Sequence, residues 1–150
     1  MGRTRWLALA LLAVVPLGCS SPFGVDEKRV LAGARQQWAA RPFPDYIFET
    51  RRDCFCRSEE IGPARITVRQ GVITHVTSIE SGEAVVADDW YTIEQLFERI
   101  PQLAEQNGVE DVAVEYDSAL GYPSLIAVRY EEGILDAGIL YVISAVEAAP

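Results

Sequence analysis

The residues with the most chemistry in them are Arg51-Arg52-Asp53-Cys54-Phe55-Cys56-Arg57. On an extended strand, residues two apart point to the same side, which would put Cys54 and Cys56 about 6.6–6.8 Å apart at Cα. That is the upper edge of the roughly 4.4–6.8 Å usual for a disulfide, so closing the bridge requires a bend or a bulge. A bond closed under strain is reduced more easily than an ordinary structural one. Three arginines beside the pair favour the thiolate, the reactive form of cysteine. Three chemistries stay open: a structural disulfide at a strand end, a thiol–disulfide redox pair, or a soft-metal site completed by His75 or a carboxylate. Cysteine metal sites usually show two spaced pairs, whereas this chain has one pair, a one-residue gap and a single distant histidine.

That lone histidine excludes a multi-histidine metal centre. Any Ser-His-Asp site would have to use His75, and Ser78, Ser81 and Ser124 all lie outside a G-x-S-x-G elbow. Asp88-Asp89 lacks the ligand spacing of a calcium loop and reads as electrostatic support for the helix that follows. Asp136 reads as a turn residue. There is no Gly-rich phosphate loop, so no catalytic residue, metal or cofactor is assigned.

The third cysteine supplies an address. Arg3 and Arg5 precede an apolar run from Trp6 to Leu17, too short to cross a bilayer and suited to a secretory signal. The run ends in Leu17-Gly18-Cys19-Ser20-Ser21, which has the form of a bacterial lipoprotein processing box with Cys19 as the lipidated residue. Pro16 departs from the aliphatic residue usual three places before that cysteine. With lipid on Cys19, the odd count of three cysteines resolves into one anchor and one pair. More than one acyl chain holds a protein stably at a membrane. The sequence therefore predicts a signal peptide at 1–18, a lipid-anchored tether at 19–25 and one domain at 26–147.

The elements that must position these residues follow from periodicity. Val30, Leu31, Ala34 and Trp38 share a face of a helix over Glu27–Arg41, stopped by Pro42 and Pro44. A strand runs from Tyr46 to Cys56, with Tyr46 and Phe48 on one face. Ile66 and Val68 lead into a turn at Arg69-Gln70-Gly71, and Val72–Ile79 returns as the second arm of a hairpin. His75 falls on the face opposite Val72 and Val76, or at the hairpin edge.

Thr92-Ile93-Glu94-Gln95 has the form of a capping box, with Ile93, Leu96, Phe97, Ile100 and Ala104 on the helical face behind it. Pro101 is expected to kink or end that helix. Three further strands follow, from Val112 to Tyr116, Leu125 to Tyr130 and Ile139 to Val146. The order is helix, three strands, helix, three strands. The short connections demand an antiparallel sheet, giving an α+β fold with helices packed on one face.

Charge divides the chain. Residues 19–69 hold nine basic and seven acidic residues, and residues 70–150 hold two and fifteen. The acidic half reads as solvated surface, or as a surface for a cationic partner. Nucleic acid is excluded as a partner because no basic stripe exists.

Several of these features occur together: Trp38, the Tyr46 strand, Cys54-Phe55-Cys56, the Gly71 hairpin, Thr92 to Phe97, Tyr116-Asp117, Gly121-Tyr122-Pro123 and Asp136. The series resembles a family of small bacterial lipoproteins and secreted proteins catalogued as a domain of unknown function, over roughly residues 26–146. The Cys-x-Cys and Gly-Tyr-Pro elements are its most specific parts. The resemblance implies a cell-envelope domain and supplies no catalytic residue. The expectation is a lipid-anchored binding or accessory module with an unidentified protein or peptide partner. The alternative is a redox or soft-metal protein using Cys54 and Cys56.

Overall fold

The computed structural model describes residues 23–54, 62–131 and 138–150. Helix α1 (Val25–Ala39) is followed by strands β1 (Tyr46–Asp53), β2 (Ala64–Arg69) and β3 (Val72–Ser78). Helix α2 (Ile93–Ala104) is followed by β4 (Val109–Tyr116), β5 (Pro123–Tyr130) and β6 (Ile139–Ala148). The six strands form one antiparallel sheet in the order β3-β2-β1-β6-β5-β4. The fold is thus α+β. Each three-strand segment is a meander, and the first strand of the chain joins the last at the centre.

The sheet hides one face. Tyr46, Phe48, Ile66 and Val68 are fully buried, as is Ile126 on β5, and Tyr141 and Ile143 on β6 continue the layer. Both helices meet that face. Trp38 of α1 packs edge-on against Tyr46 with ring centroids 5.1 Å apart, and the Ile93 amide of α2 donates to the Tyr46 hydroxyl at 3.1 Å. Helix α2 buries Ile93, Leu96, Phe97, Ile100, Leu103 and Ala104. Each large side chain among them is worth about 1.5–3 kcal/mol when removed from water.

Local chemistry explains the element ends. The β2–β3 turn has left-handed Gln70 (φ 50°) and Gly71 (φ 75°), the conformation that a two-residue hairpin needs to match the strand twist. Thr92 accepts from the Gln95 amide at 3.1 Å, while the Gln95 side chain accepts from the Thr92 amide at 2.8 Å. That is the reciprocal cap expected from Thr92-Ile93-Glu94-Gln95.

Four expectations need correction. Helix α2 runs through Pro101 to Ala104 rather than ending at it. Pro101 cannot donate to the Phe97 carbonyl one turn back, and the Arg35 guanidinium of α1 donates to that oxygen instead. Val30 is not part of the buried helical face; it is 58% exposed, while Leu31, Ala34 and Trp38 are buried. Helix α1 spans Val25–Ala39 rather than Glu27–Arg41, and Phe23 just before it is buried in the core. Finally, β1 ends at Asp53, and Cys54 lies in a bend beyond it. The expected strand therefore stops short of Cys54.

Candidate functional site

The residues singled out in the sequence do not converge. Cys19, Cys56 and Asp136 lie outside the described residues. His75 is exposed on the edge strand β3, paired with Thr67, which in turn pairs with Ile47. Ile47 and Asp53 stand near opposite ends of β1, roughly 20 Å apart at strand rise. The register thus carries His75 away from Cys54, and the Cys54, Cys56, His75 metal set finds no support in the geometry. Among the described residues, no group of three or more His, Cys, Asp or Glu is placed to hold a metal ion.

The arginines beside Cys54 are also committed elsewhere. Strand alternation sends Arg51 outward, where it pairs with Asp53, and sends Arg52 into the core, where its guanidinium donates to the Asp89 carbonyl at 3.2 Å. Arg52 lies over the Trp90 ring, 5.8 Å from its centroid. Asp88 and Asp89 are exposed in the loop before α2, and the acid in the first turn of that helix is Glu94 instead.

Glu94 anchors the densest polar cluster among the described residues. Its carboxylate accepts from Trp38 Nε1 at 2.8 Å, from the Arg41 guanidinium at 2.9 Å and from the Tyr46 hydroxyl at 2.6 Å. Arg41 stacks over Trp38 with 4.0 Å from guanidinium carbon to ring centroid. Burial alone would raise the Glu94 carboxyl. The hydrogen bonds from Tyr46 and Trp38 and the charge of Arg41 outweigh it and hold the group below the usual carboxylate range. Burial, and then the Glu94 carboxylate, push the Tyr46 phenol far up, so it remains a donor. The cluster ties α1, α2 and β1 together. Its first-turn carboxylate also suits the positive end of α2. Trp38 and Tyr46 were legible as core residues, but nothing in the spacing singled out Glu94 as their common acceptor.

The Gly-Tyr-Pro element has a packing explanation. Gly121 has φ 79°, and a Cβ there would come within 2.7 Å of the Ala34 carbonyl oxygen on α1. Only glycine allows both the turn and that approach. Tyr122 then packs edge-on against Trp38 at 6.2 Å, and Pro123 opens β5 fully buried. Asp117 closes the loop by accepting from the Ala119 and Leu120 amides.

Two of the open grooves among the described residues stand out by their lining. One, about 400 Å³, lies between Gly62-Pro63, the Ser78–Glu83 turn and Trp90. The other, about 230 Å³, is lined by Phe23, Val30, Val112, Val114 and Tyr116, with Asp26 and Glu27 at its rim. Every resolved pKa displacement among the described residues moves a group away from neutrality. Tyr46, Tyr116 (pushed up to about 12 by burial) and Tyr122 rise, as do Arg51 and Arg65, while Asp53 and Glu94 fall.

No helix among the described residues is long and apolar enough to cross a membrane. No curated protein and no solved structure matches the chain. A family model described as "Family of unknown function (DUF6174)" matches residues 30–148, covering both helices' buried faces and all six strands, and the chain belongs to that family.

Proposed function

We propose that the protein is a lipid-anchored cell-envelope module that binds a partner and does no chemistry of its own, held at the membrane through Cys19. The observation that carries this reading is the closeness of anchor and fold. Phe23 is already buried in the core four residues after Cys19, a reach of at most about 14 Å. A domain so attached stays next to the surface that holds it. The Leu17-Gly18-Cys19 sequence supports the lipid. Cys54 and Cys56 are assigned a structural bridge that pins the chain where it leaves β1. The position of Cys54 in a bend supports that role, since a bend is what closure of a Cys-x-Cys pair requires.

Membrane fractionation of the full-length protein made in a bacterial host tests the reading. Wild type is expected in the membrane fraction with lipid mass on Cys19, and Cys19→Ala is expected to lose both. A wild-type protein that stays soluble with an unmodified Cys19 overturns it. Alkylation before intact-mass measurement tests the bridge: two adducts on the native protein would overturn it.

A further inference from the structure

We propose that the groove between α1 and β4 seats one acyl chain carried on Cys19 of the same molecule. This inference rests on the lipid-anchor reading and goes beyond it. The groove lies between the start of α1 and the edge strand β4. Phe23 and Val30 supply one wall, and Val112, Val114 and Tyr116, alternate residues of the edge strand β4, supply the other. Its volume is about 230 Å³. Phe97 backs it, stacked on Tyr116 with centroids 6.2 Å apart.

Three observations select this occupant. The first is reach: Phe23, which lines the groove, is four residues from Cys19. A chain attached at Cys19 therefore starts no more than about 14 Å from the groove wall. The second is chemistry. The wall side chains are aliphatic or aromatic, and the acids Asp26, paired with Arg29 at 2.8 Å, and Glu27 stand at the rim. An acyl chain suits such walls because it brings no polar group that would need a partner there. The third is exposure. Val30, in the groove wall, is 58% exposed, so apolar surface of the groove faces water. Seating one chain covers apolar surface that otherwise faces water, and leaves the remaining chains to hold the bilayer.

The test uses the full-length protein in a bacterial host fed a fatty acid with a photoreactive diazirine in its tail. After irradiation of intact membranes, the protein is purified and its peptides are mapped by mass spectrometry. The expected result is adducts within the same chain on Val30, Val112, Val114 or Tyr116. Val30→Asp, at a position already mostly in solvent, is expected to cut those adducts at least fivefold while Cys19 keeps its lipid mass. Lipidated Cys19 with adducts only on phospholipid, on other surfaces or between two copies of the chain overturns the groove assignment and leaves the anchor standing. An unmodified Cys19 overturns the anchor, and the inference with it.

Discussion

The two ends of β1 each hold a tryptophan beside an arginine, and they solve the same problem differently. At the Tyr46 end, Trp38 Nε1 donates to Glu94, and Arg41 lies over the Trp38 ring at 4.0 Å. At the Arg52 end, Arg52 lies over Trp90 at 5.8 Å, and the buried Trp90 Nε1 has no hydrogen-bond partner among the described residues. At the first end one carboxylate answers three donors, while Arg41 Nε finds no partner among the described residues. At the second end Arg52 donates to the Asp89 carbonyl, and no described residue answers the indole N–H. The difference predicts that specificity of helix placement resides at the Tyr46 end and that the Trp90 end tolerates change.

Removing the common acceptor should have the largest effect. Glu94→Ala leaves Tyr46, Trp38 and Arg41 facing an empty position. The expected loss is about 2–3 kcal/mol in urea unfolding. That is below the roughly 3–5 kcal/mol of a fully buried pair because the carboxylate keeps partial contact with solvent. The pH dependence has a defined sign. A carboxyl held below its ordinary value near 4.5 stabilises the fold above that value, and the contribution is lost as pH falls through the lower folded value. Glu94→Gln should therefore flatten the acid limb of the stability curve relative to wild type. An unchanged acid limb would remove Glu94 from the centre of the cluster.

The comparison itself is sharpened by making one substitution at both ends. Trp38→Phe and Trp90→Phe remove similar ring area, but only the first removes a hydrogen bond to a charged group. Such a bond is worth about 1.5–3 kcal/mol. Trp38→Phe is expected to cost about 2 kcal/mol more than Trp90→Phe in matched denaturation curves. Equal costs would mean that Trp90 Nε1 is satisfied in solution and that the two ends are alike.

Much of this framework was legible because it rests on local rules. The Tyr46 and Phe48 alternation, the Gln70-Gly71 turn, the Thr92 cap and the buried face of α2 all follow from a period or a turn requirement. What escaped the sequence depends on contacts between distant segments. Glu94 reads as an ordinary first-turn acid until Trp38, Arg41 and Tyr46 converge on it from 48 to 56 residues away. Val30 fits the helical period but falls beside an open groove, where nothing covers it. A bulge opposite Phe48, with Ala145 at φ 50°, has no signature in an apolar strand where glycine would be the usual choice. Cys54 and Cys56 attracted chemical readings because their types are reactive. The register that separates His75 from Cys54 is a property of strand pairing, which no local pattern encodes.

Pro101 offers the finest test of how orphaned groups are handled in this fold. Its missing N–H strips the Phe97 carbonyl of its helical donor, and Arg35 supplies the replacement from another helix. Trp90 Nε1, in contrast, has no partner among the described residues. If Arg35 is truly a substitute donor, its value depends on the proline. Arg35→Met should cost about 1 kcal/mol in the wild-type background. Pro101→Ala restores the backbone N–H, and in that background Arg35→Met should cost close to nothing. The double-mutant cycle then returns a coupling of about 1 kcal/mol between two positions that act on the same carbonyl and do not bond to each other. Additive costs would assign Arg35 to ring packing on Phe97 alone, with its guanidinium carbon 5.8 Å from that centroid. The two helices would then be joined by contact and not by a shared hydrogen bond.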